Sequence, residues 1–218
     1  MQVFSSGAIF LIDDHPIVRA GLRALIEEDP RLSCIGEADS AEAALRLLPS
    51  LTPDVVLVDL SLKGANGLEL VKGIVALRPE LRVLVLSMHD EQLYAERALE
   101  AGARGYVMKD NAPEQLRDAI HNVLAGQVHL SPAMTTAMLE RSLRGVEHSS
   151  SPRSLLSDRE LEVFERLGEG LPTRQVAEAL HLSVKTIESH RASIKKKLGL
   201  SNANELVRQA VLFKEGLR

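Results

Sequence analysis

The 218-residue sequence holds a single cysteine, Cys34. It also has no uninterrupted apolar run of the roughly 18 residues that a membrane-spanning helix needs. One thiol closes no disulfide within the chain and builds no zinc cluster, and its place in the apolar run Leu32-Ile35 reads as a small buried hydrophobe. The first ten residues lack the basic start and apolar core of a secretory signal, so the expected location is the cytoplasm, with no membrane partner. Basic residues are scarce in the first half: residues 1-126 carry 12 Lys+Arg against 19 Asp+Glu, whereas residues 155-218 carry 11 against 9. An acidic part and a mildly basic part suit a cation-binding module joined to one that binds a polyanion. The length points to two domains.

From Ala8 to Ala125, short β-branched runs alternate with amphipathic segments. Strands are expected at Ala8-Ile12, Ser33-Glu37, Val55-Leu60, Arg82-Ser87 and Gly105-Met108, with helices near 16-28, 40-48, 67-77, 91-101 and 113-125. Repeated βα units of this length predict an α/β fold built on a doubly wound, five-stranded parallel sheet. Pro16 and Pro113 suit first helical turns, and Gly102 suits the position after a helix. Residues 127-154 break the pattern and read as a linker, with one short helix over 133-144 and a flexible stretch at Ser149-Ser150-Ser151-Pro152.

The remainder, 155-218, reads as a small all-α domain of four helices. Ser157-Asp158-Arg159-Glu160 is a capping box opening a helix to about Gly168. Thr173 is expected to cap a helix to Leu180, Ser183 a longer one to Leu198, and a fourth covers Ala203-Lys214. Two of these, joined by a short turn, form a helix-turn-helix pattern.

In a parallel sheet the carboxyl ends of the strands share one edge, where ligands bind. Asp13, Asp14, Asp59, Ser87 and Lys109 all fall there. Three clustered carboxylates repel, so either some stay protonated or a cation neutralises them, and an all-oxygen set suits Mg2+ beside a phosphate. Lys109 and Ser87 then hold phosphoryl oxygens, and Asp59, on the middle strand, is best placed as nucleophile. Taken alone, Asp14 also reads as a helix cap, and Ser87 and Lys109 as ordinary polar strand ends.

Along Ser183-Leu198, Val184, Ile187, Ile194 and Leu198 share one stripe expected to face the core. Lys185, Glu188, Ser189, Ala192 and Lys196 share the opposite one, which suits the major groove. There Glu188 accepts from cytosine and Ser189 contacts either kind of base, while Arg191, Lys195 and Lys197 hold phosphates from the flanks. A merely solvated helix face is the alternative.

Residues 7-126 resemble the receiver domain of two-component response regulators. The resemblance lies in Leu11-Ile12-Asp13-Asp14-His15-Pro16, Pro53-Asp54-Val55-Val56-Leu57-Val58-Asp59-Leu60, Leu86-Ser87-Met88-His89-Asp90 and Ala101-Gly102-Ala103-Arg104-Gly105-Tyr106-Val107-Met108-Lys109. It implies a flavodoxin-like receiver at 1-126, in which Asp59 takes a phosphoryl group from a sensor histidine kinase. It further implies Mg2+ held by Asp14, Asp59 and the Ser61 main-chain carbonyl, with Asp13 acting through water. Ser87 then turns towards the phosphoryl group and Tyr106 moves inward. The chain departs from the family at Leu62-Lys63-Gly64, where methionine-proline-glycine is usual. His89 and Ser61 flank the path of an attacking water.

Residues 155-216 resemble the LuxR-type helix-turn-helix domain through Leu156-Ser157-Asp158-Arg159-Glu160-Leu161-Glu162-Val163, Val176-Ala177-Glu178-Ala179-Leu180, Leu182-Ser183-Val184-Lys185-Thr186-Ile187-Glu188-Ser189-His190 and Lys197-Leu198-Gly199. Together the two domains resemble the NarL/FixJ class of response regulators. The resemblance implies double-stranded DNA as a partner, Thr173, Lys185 and Thr186 among the DNA contacts, a homodimer on activation and RNA polymerase as a further partner. No enzyme activity is implied beyond self-phosphorylation from a donor and slow loss of the group. Two other readings stay open: an orphan regulator that works without phosphate, and a magnesium-dependent phosphatase, against which Ser61 stands where the haloacid-dehalogenase pattern needs an aspartate.

Overall fold

The computed structural model describes residues 6-111, 113-144 and 152-216. The chain divides into two compact units, Met1–Gly145 and Val146–Arg218. In the first, strands β1 (Gly7–Ile12), β2 (Leu32–Ala38), β3 (Val55–Asp59), β4 (Arg82–Ser87) and β5 (Gly105–Met108) alternate with helices α1 (Pro16–Glu27), α2 (Ala41–Leu47), α3 (Gly67–Leu77), α4 (Glu91–Glu100) and α5 (Pro113–Leu124). All pairings are parallel and the order is β2-β1-β3-β4-β5, the doubly wound sheet expected.

The apolar runs are continuous because both faces of the central strands are covered. Ile9, Leu11, Val55, Leu57, Leu84 and Leu86 pack with Ile26 of α1 and with Leu116, Ile120 and Val123 of α5. Residues of the other parity, Phe10, Ile12, Val56, Val58, Val83 and Val85, are buried as well. The strand order reverses between β1 and β3, which opens a crevice at their carboxyl ends.

The segment after α5 differs from the linker expected over 127-154. His129 donates its N–H to the Arg104 carbonyl and accepts from the Tyr106 N–H, pairing with the free edge of β5. Helix α6 (Pro132–Arg144) follows, its start capped by the Ser131 hydroxyl. Glu91 of α4 accepts from the Ser131 N–H and Glu96 pairs with Arg141, so residues 127-144 belong with the first unit. An unpaired edge strand exposes a row of polar backbone groups, and this segment meets that need at β5. The serine stretch Ser149-Ser150-Ser151 lies outside the described residues.

The second unit contains the short turn α7 (Pro152–Leu155) and helices α8 (Asp158–Gly168), α9 (Thr173–Ala179), α10 (Val184–Leu198) and α11 (Ala203–Lys214). The capping box at Ser157 and Glu160 and the Ser183 cap form as expected. Thr173 does not cap α9: Pro172 holds the cap position, and the Thr173 hydroxyl accepts from Arg191 instead. Val184 is also not in the core. Only Ile187 and Ile194 of its stripe are fully buried; Leu198 is half-buried and Val184 is 47 % exposed, because it sits at the first position of α10, beyond the packing helices.

Candidate functional site

At the crevice, β1 ends in Asp13 and Asp14, β3 in Asp59, β4 in Ser87, and Lys109 follows β5. All three carboxylates and Ser87 are buried, and Asp59 is 2 % exposed. Lys109 Nζ donates to Asp13 Oδ2 at 2.7 Å and lies 2.7 Å from Asp59 Oδ2. One ammonium thus serves two carboxylates. Burial pushes the Asp59 carboxyl above its ordinary value, and repulsion from Asp13 adds to this; Lys109 and the Ser61 N–H only partly offset them. Burial alone would lower the Lys109 ammonium, but Asp59 and Asp13 outweigh it, so Lys109 stays charged.

Ser61 donates its N–H to Asp59 Oδ1 at 3.0 Å, and its hydroxyl lies 3.2 Å from His89 Nε2. The Ser87 hydroxyl accepts from the His89 N–H at 3.1 Å. Tyr106, expected to move inward, is already buried and donates its hydroxyl to the His89 carbonyl at 2.7 Å. Lys63, in the turn that departs from the family pattern, stands 3.8 Å from Asp14 Oδ2 and brings a second cation to the pocket. The sequence pattern gives His15 no role of its own; its Nδ1 lies 2.7 Å from Asp14 Oδ1. Its place directly after the acidic pair was the available signal.

The residues fit a hard divalent cation. Ligand atoms of Asp13, Asp14, His15 and Asp59 all lie within 4.8 Å of one another. Asp14 Oδ1 and Asp59 Oδ2 are buried without a well-directed hydrogen bond, although a nitrogen stands near each. Buried carboxylate oxygens left this way are costly, and an oxygen-seeking cation satisfies them. His15 is exposed, which leaves the three aspartates as the oxygen set.

In the second unit, Lys185, Glu188, Ser189, Ala192 and Lys196 share the exposed side of α10, Thr186 and Lys195 are half-buried, and Thr186 bonds to its own cap Ser183. At the flank of this face, the Arg191 guanidinium donates to Thr173 and to Glu188. Lys197 also has a partner within the domain. Its ammonium donates to Glu160 Oε2 at 2.6 Å, where Ser193 also donates to Oε1 at 2.6 Å and the Ser157 N–H to Oε2 at 2.8 Å. Glu160 therefore ties α8 to α10, a role invisible in a capping-box motif read locally.

Burial raises the Glu160 carboxyl, yet Lys197, Ser193 and Ser157 together outweigh it and bring it down to about 2 from 4.5. A carboxyl depressed by folding stabilises above its unfolded value, and that stability is lost as pH falls through the folded value. Glu160→Gln is therefore expected to cost on the order of 2 kcal/mol at pH 7. The deficit relative to wild type should vanish between about pH 4.5 and 2. Calorimetry of both proteins across that range checks it; a deficit independent of pH would assign the loss to packing.

Comparison with known proteins agrees with this arrangement. Residues 9–121 match the response regulator receiver domain and residues 154–210 the bacterial regulatory proteins of the luxR family. The DNA-binding transcriptional activator DevR/DosR of Mycobacterium tuberculosis is 35% identical over 210 residues, covering 96% of this chain and 94% of that protein. The nitrate/nitrite response regulator protein NarL of Escherichia coli is 35% identical over 199 residues, covering 90% and 91%. RcsB from Salmonella enterica serovar Typhimurium, solved bound to promoter rprA with the phosphomimetic BeF3-, is 29% identical with a TM-score of 0.63, covering 95% of this chain and 99% of that one. No helix among the described residues is long and apolar enough to cross a membrane. With a receiver at its amino end and a LuxR-type helix-turn-helix at its carboxyl end, the chain belongs to the NarL/FixJ class of two-component response regulators, which bind DNA and control transcription.

Proposed function

We propose that Asp59 is the phosphoacceptor and that its modification by a sensor histidine kinase controls dimerisation and DNA binding through α10. The observation that carries this reading is the shared ammonium: Lys109 sits 2.7 Å from oxygens of both Asp13 and Asp59, at the mouth of a buried acidic pocket. An Asp59 oxygen attacks phosphorus, an O–P bond forms, and the P–N bond of the donor phosphohistidine breaks with its electron pair left on the imidazole. Lys109 then holds a phosphoryl oxygen, and the Ser87 hydroxyl rotates off the His89 N–H to donate to another. Asp13, Asp14, Asp59 and the Ser61 carbonyl would hold Mg2+, which supplies charge neutralisation for the dianionic group. Release of Ser87 from His89 changes the loop that also anchors the Tyr106 hydroxyl, giving a two-state element next to α4 and β5.

Incubation with acetyl phosphate and magnesium is expected to add one phosphoryl group per chain by intact mass, with dimers by light scattering. Steady turnover of phosphomonoesters would instead favour the phosphatase reading. The other reading that the sequence leaves open is an orphan regulator that works without phosphate. Binding of the unmodified chain to DNA as tight as that of the phosphorylated chain would select it.

On DNA, in the cytoplasm, Lys185 and Thr186 contact phosphates while Glu188, Ser189 and Ala192 face the bases, with Lys195 and Lys196 beside them. Lys185→Ala is expected to weaken binding to all duplexes and reduce the salt slope by about 1. Glu188→Ala should mainly alter sequence preference. Lys197→Ala should leave the salt slope unchanged, because its ammonium is engaged by Glu160. A lower slope in Lys197→Ala would mean that the ion pair opens on DNA.

A further inference from the structure

The turn that carries Asp13 and Asp14 is held locally by the His15 N–H, which donates to Asp13 Oδ1 at 2.7 Å. His15 occupies the cap position of α1 without a side-chain cap bond, and Pro16 brings no N–H to the first turn. The bond from the His15 N–H fixes the Asp13 side chain; the restraint on the Asp13 carbonyl comes from further along the helix. Arg19 Nη1 donates to the Asp13 carbonyl at 2.6 Å, and its Nε donates to Glu37 Oε2 at 3.1 Å. Glu37 is fixed on its other oxygen by Arg23 at 3.0 Å. The Asp13 N–H meanwhile bonds to the carbonyl of Ala38, the neighbour of Glu37. A closed ring results, Asp13 to Ala38 to Glu37 to Arg19 and back to Asp13.

The Asp13 carbonyl lies in the peptide plane that joins Asp13 to Asp14. Fixing its direction fixes the orientation of the backbone from which both carboxylates spring. We infer that Arg19 is a positioning residue for the acidic pocket, setting its affinity for Mg2+ through the Asp13-Asp14 peptide without touching the ion. The inference rests on the reading of that pocket as a magnesium site. Residues that orient metal ligands carry about 10- to 100-fold in affinity, even though they make no bond to the metal. An open groove of about 230 Å³, lined by Arg19, Glu37, Ala38, Asp39 and Ala43, adjoins the ring. Water admitted there on removal of the guanidinium would satisfy the Asp13 carbonyl without fixing its direction.

The sign of the effect separates positioning from charge. Arg19→Ala removes a cation near an acidic pocket, which by Coulomb's law alone tightens Mg2+ binding. Loss of orientation loosens it. Arg19→Lys keeps the charge but loses the planar fork that bridges carbonyl and carboxylate.

Titration of MgCl2 into the full chain by calorimetry, without any phosphodonor, is the test, with the thermal midpoint in EDTA reporting any purely structural share. Both Arg19→Ala and Arg19→Lys are expected to bind Mg2+ about tenfold more weakly than wild type. Alanine binding as tightly or tighter, or lysine behaving as wild type, overturns the assignment to Arg19 while leaving the metal site intact. A wild-type chain that takes up no Mg2+ overturns the metal reading and the positioning role with it.

Discussion

Asp59→Asn is expected to leave the intact mass unchanged after incubation with acetyl phosphate and magnesium, and to raise the thermal midpoint of the magnesium-free chain at pH 7. The first outcome follows from chemistry: an amide is no nucleophile towards phosphorus, and Asp59 is the carboxylate at the end of the central strand. The second follows from the cost of holding the site ready. Burial raises the Asp59 carboxyl, so the folded chain opposes its ionisation. A carboxyl raised by folding destabilises once ionised. Its penalty sets in above the unfolded value and grows as pH rises through the folded one. The near-isosteric amide removes the charge and the repulsion with Asp13 while Lys109 keeps Asp13 as its partner. The midpoints of the two proteins should converge as the pH is lowered, and Mg2+ should stabilise the wild type more than the variant. An adduct that persists in Asp59→Asn would place the phosphoryl group elsewhere. A lower midpoint at pH 7 would mean that the ion pair with Lys109 outweighs the burial of both groups.

Gly67→Ala should destabilise the chain by about 3 kcal/mol or more, a cost in the range of overpacking against a rigid neighbour. Helix propensity alone predicts the opposite sign, since alanine in a helix is favoured over glycine by about 1 kcal/mol. The difference lies in what surrounds the added carbon. A Cβ at Gly67 would sit 2.3 Å from the Leu60 Cα, 2.7 Å from the Asp59 carbonyl oxygen and 2.8 Å from that of Leu60. These are backbone atoms, which cannot step aside as a side-chain tip does. The Gly67 N–H also donates to the Leu60 carbonyl at 3.2 Å, so helix α3 starts directly against the strand end that carries Asp59. Gly73, in the same helix, has nothing within 4 Å of its added carbon and supplies the internal control. Gly73→Ala should stabilise by up to about 1 kcal/mol. Urea unfolding of the two variants checks the pair, and equal effects at both positions would show that the close approach at Gly67 is relieved by backbone movement.

The architecture of the first unit was legible because its strands are covered on both faces. Each reads as an apolar run ending in a polar residue, and the parallel topology then forces Asp13, Asp14, Asp59, Ser87 and Lys109 to one edge. All five strands fall within one residue of the expected bounds at each end. The turn and cap chemistry of α8 and α10 was legible for the same local reason, since a capping box or serine cap is satisfied within four residues.

The rest was decided by contacts between segments far apart in the chain. The pairing of His129 with β5 drew residues 127-144 into the first unit, because an edge strand takes whatever segment satisfies it and leaves no periodic mark in that segment. Lys197 and Arg191, placed among the phosphate contacts by their helix, also have partners within the domain, Glu160 and Thr173, 37 and 18 residues away. Thr173 had the right type for a cap, but the helix began one residue earlier than that role allows. Sequence alone determined which polar residues gather at one sheet edge and which side chains share the exposed side of α10, because strand ends and helical stripes are periodic properties of the chain. Tertiary structure alone decided how those residues are held, by Arg19 on the Asp13 carbonyl, Glu160 between α8 and α10, and Gly67 against Leu60. Those restraints are distances between atoms in different elements, and no local pattern encodes them.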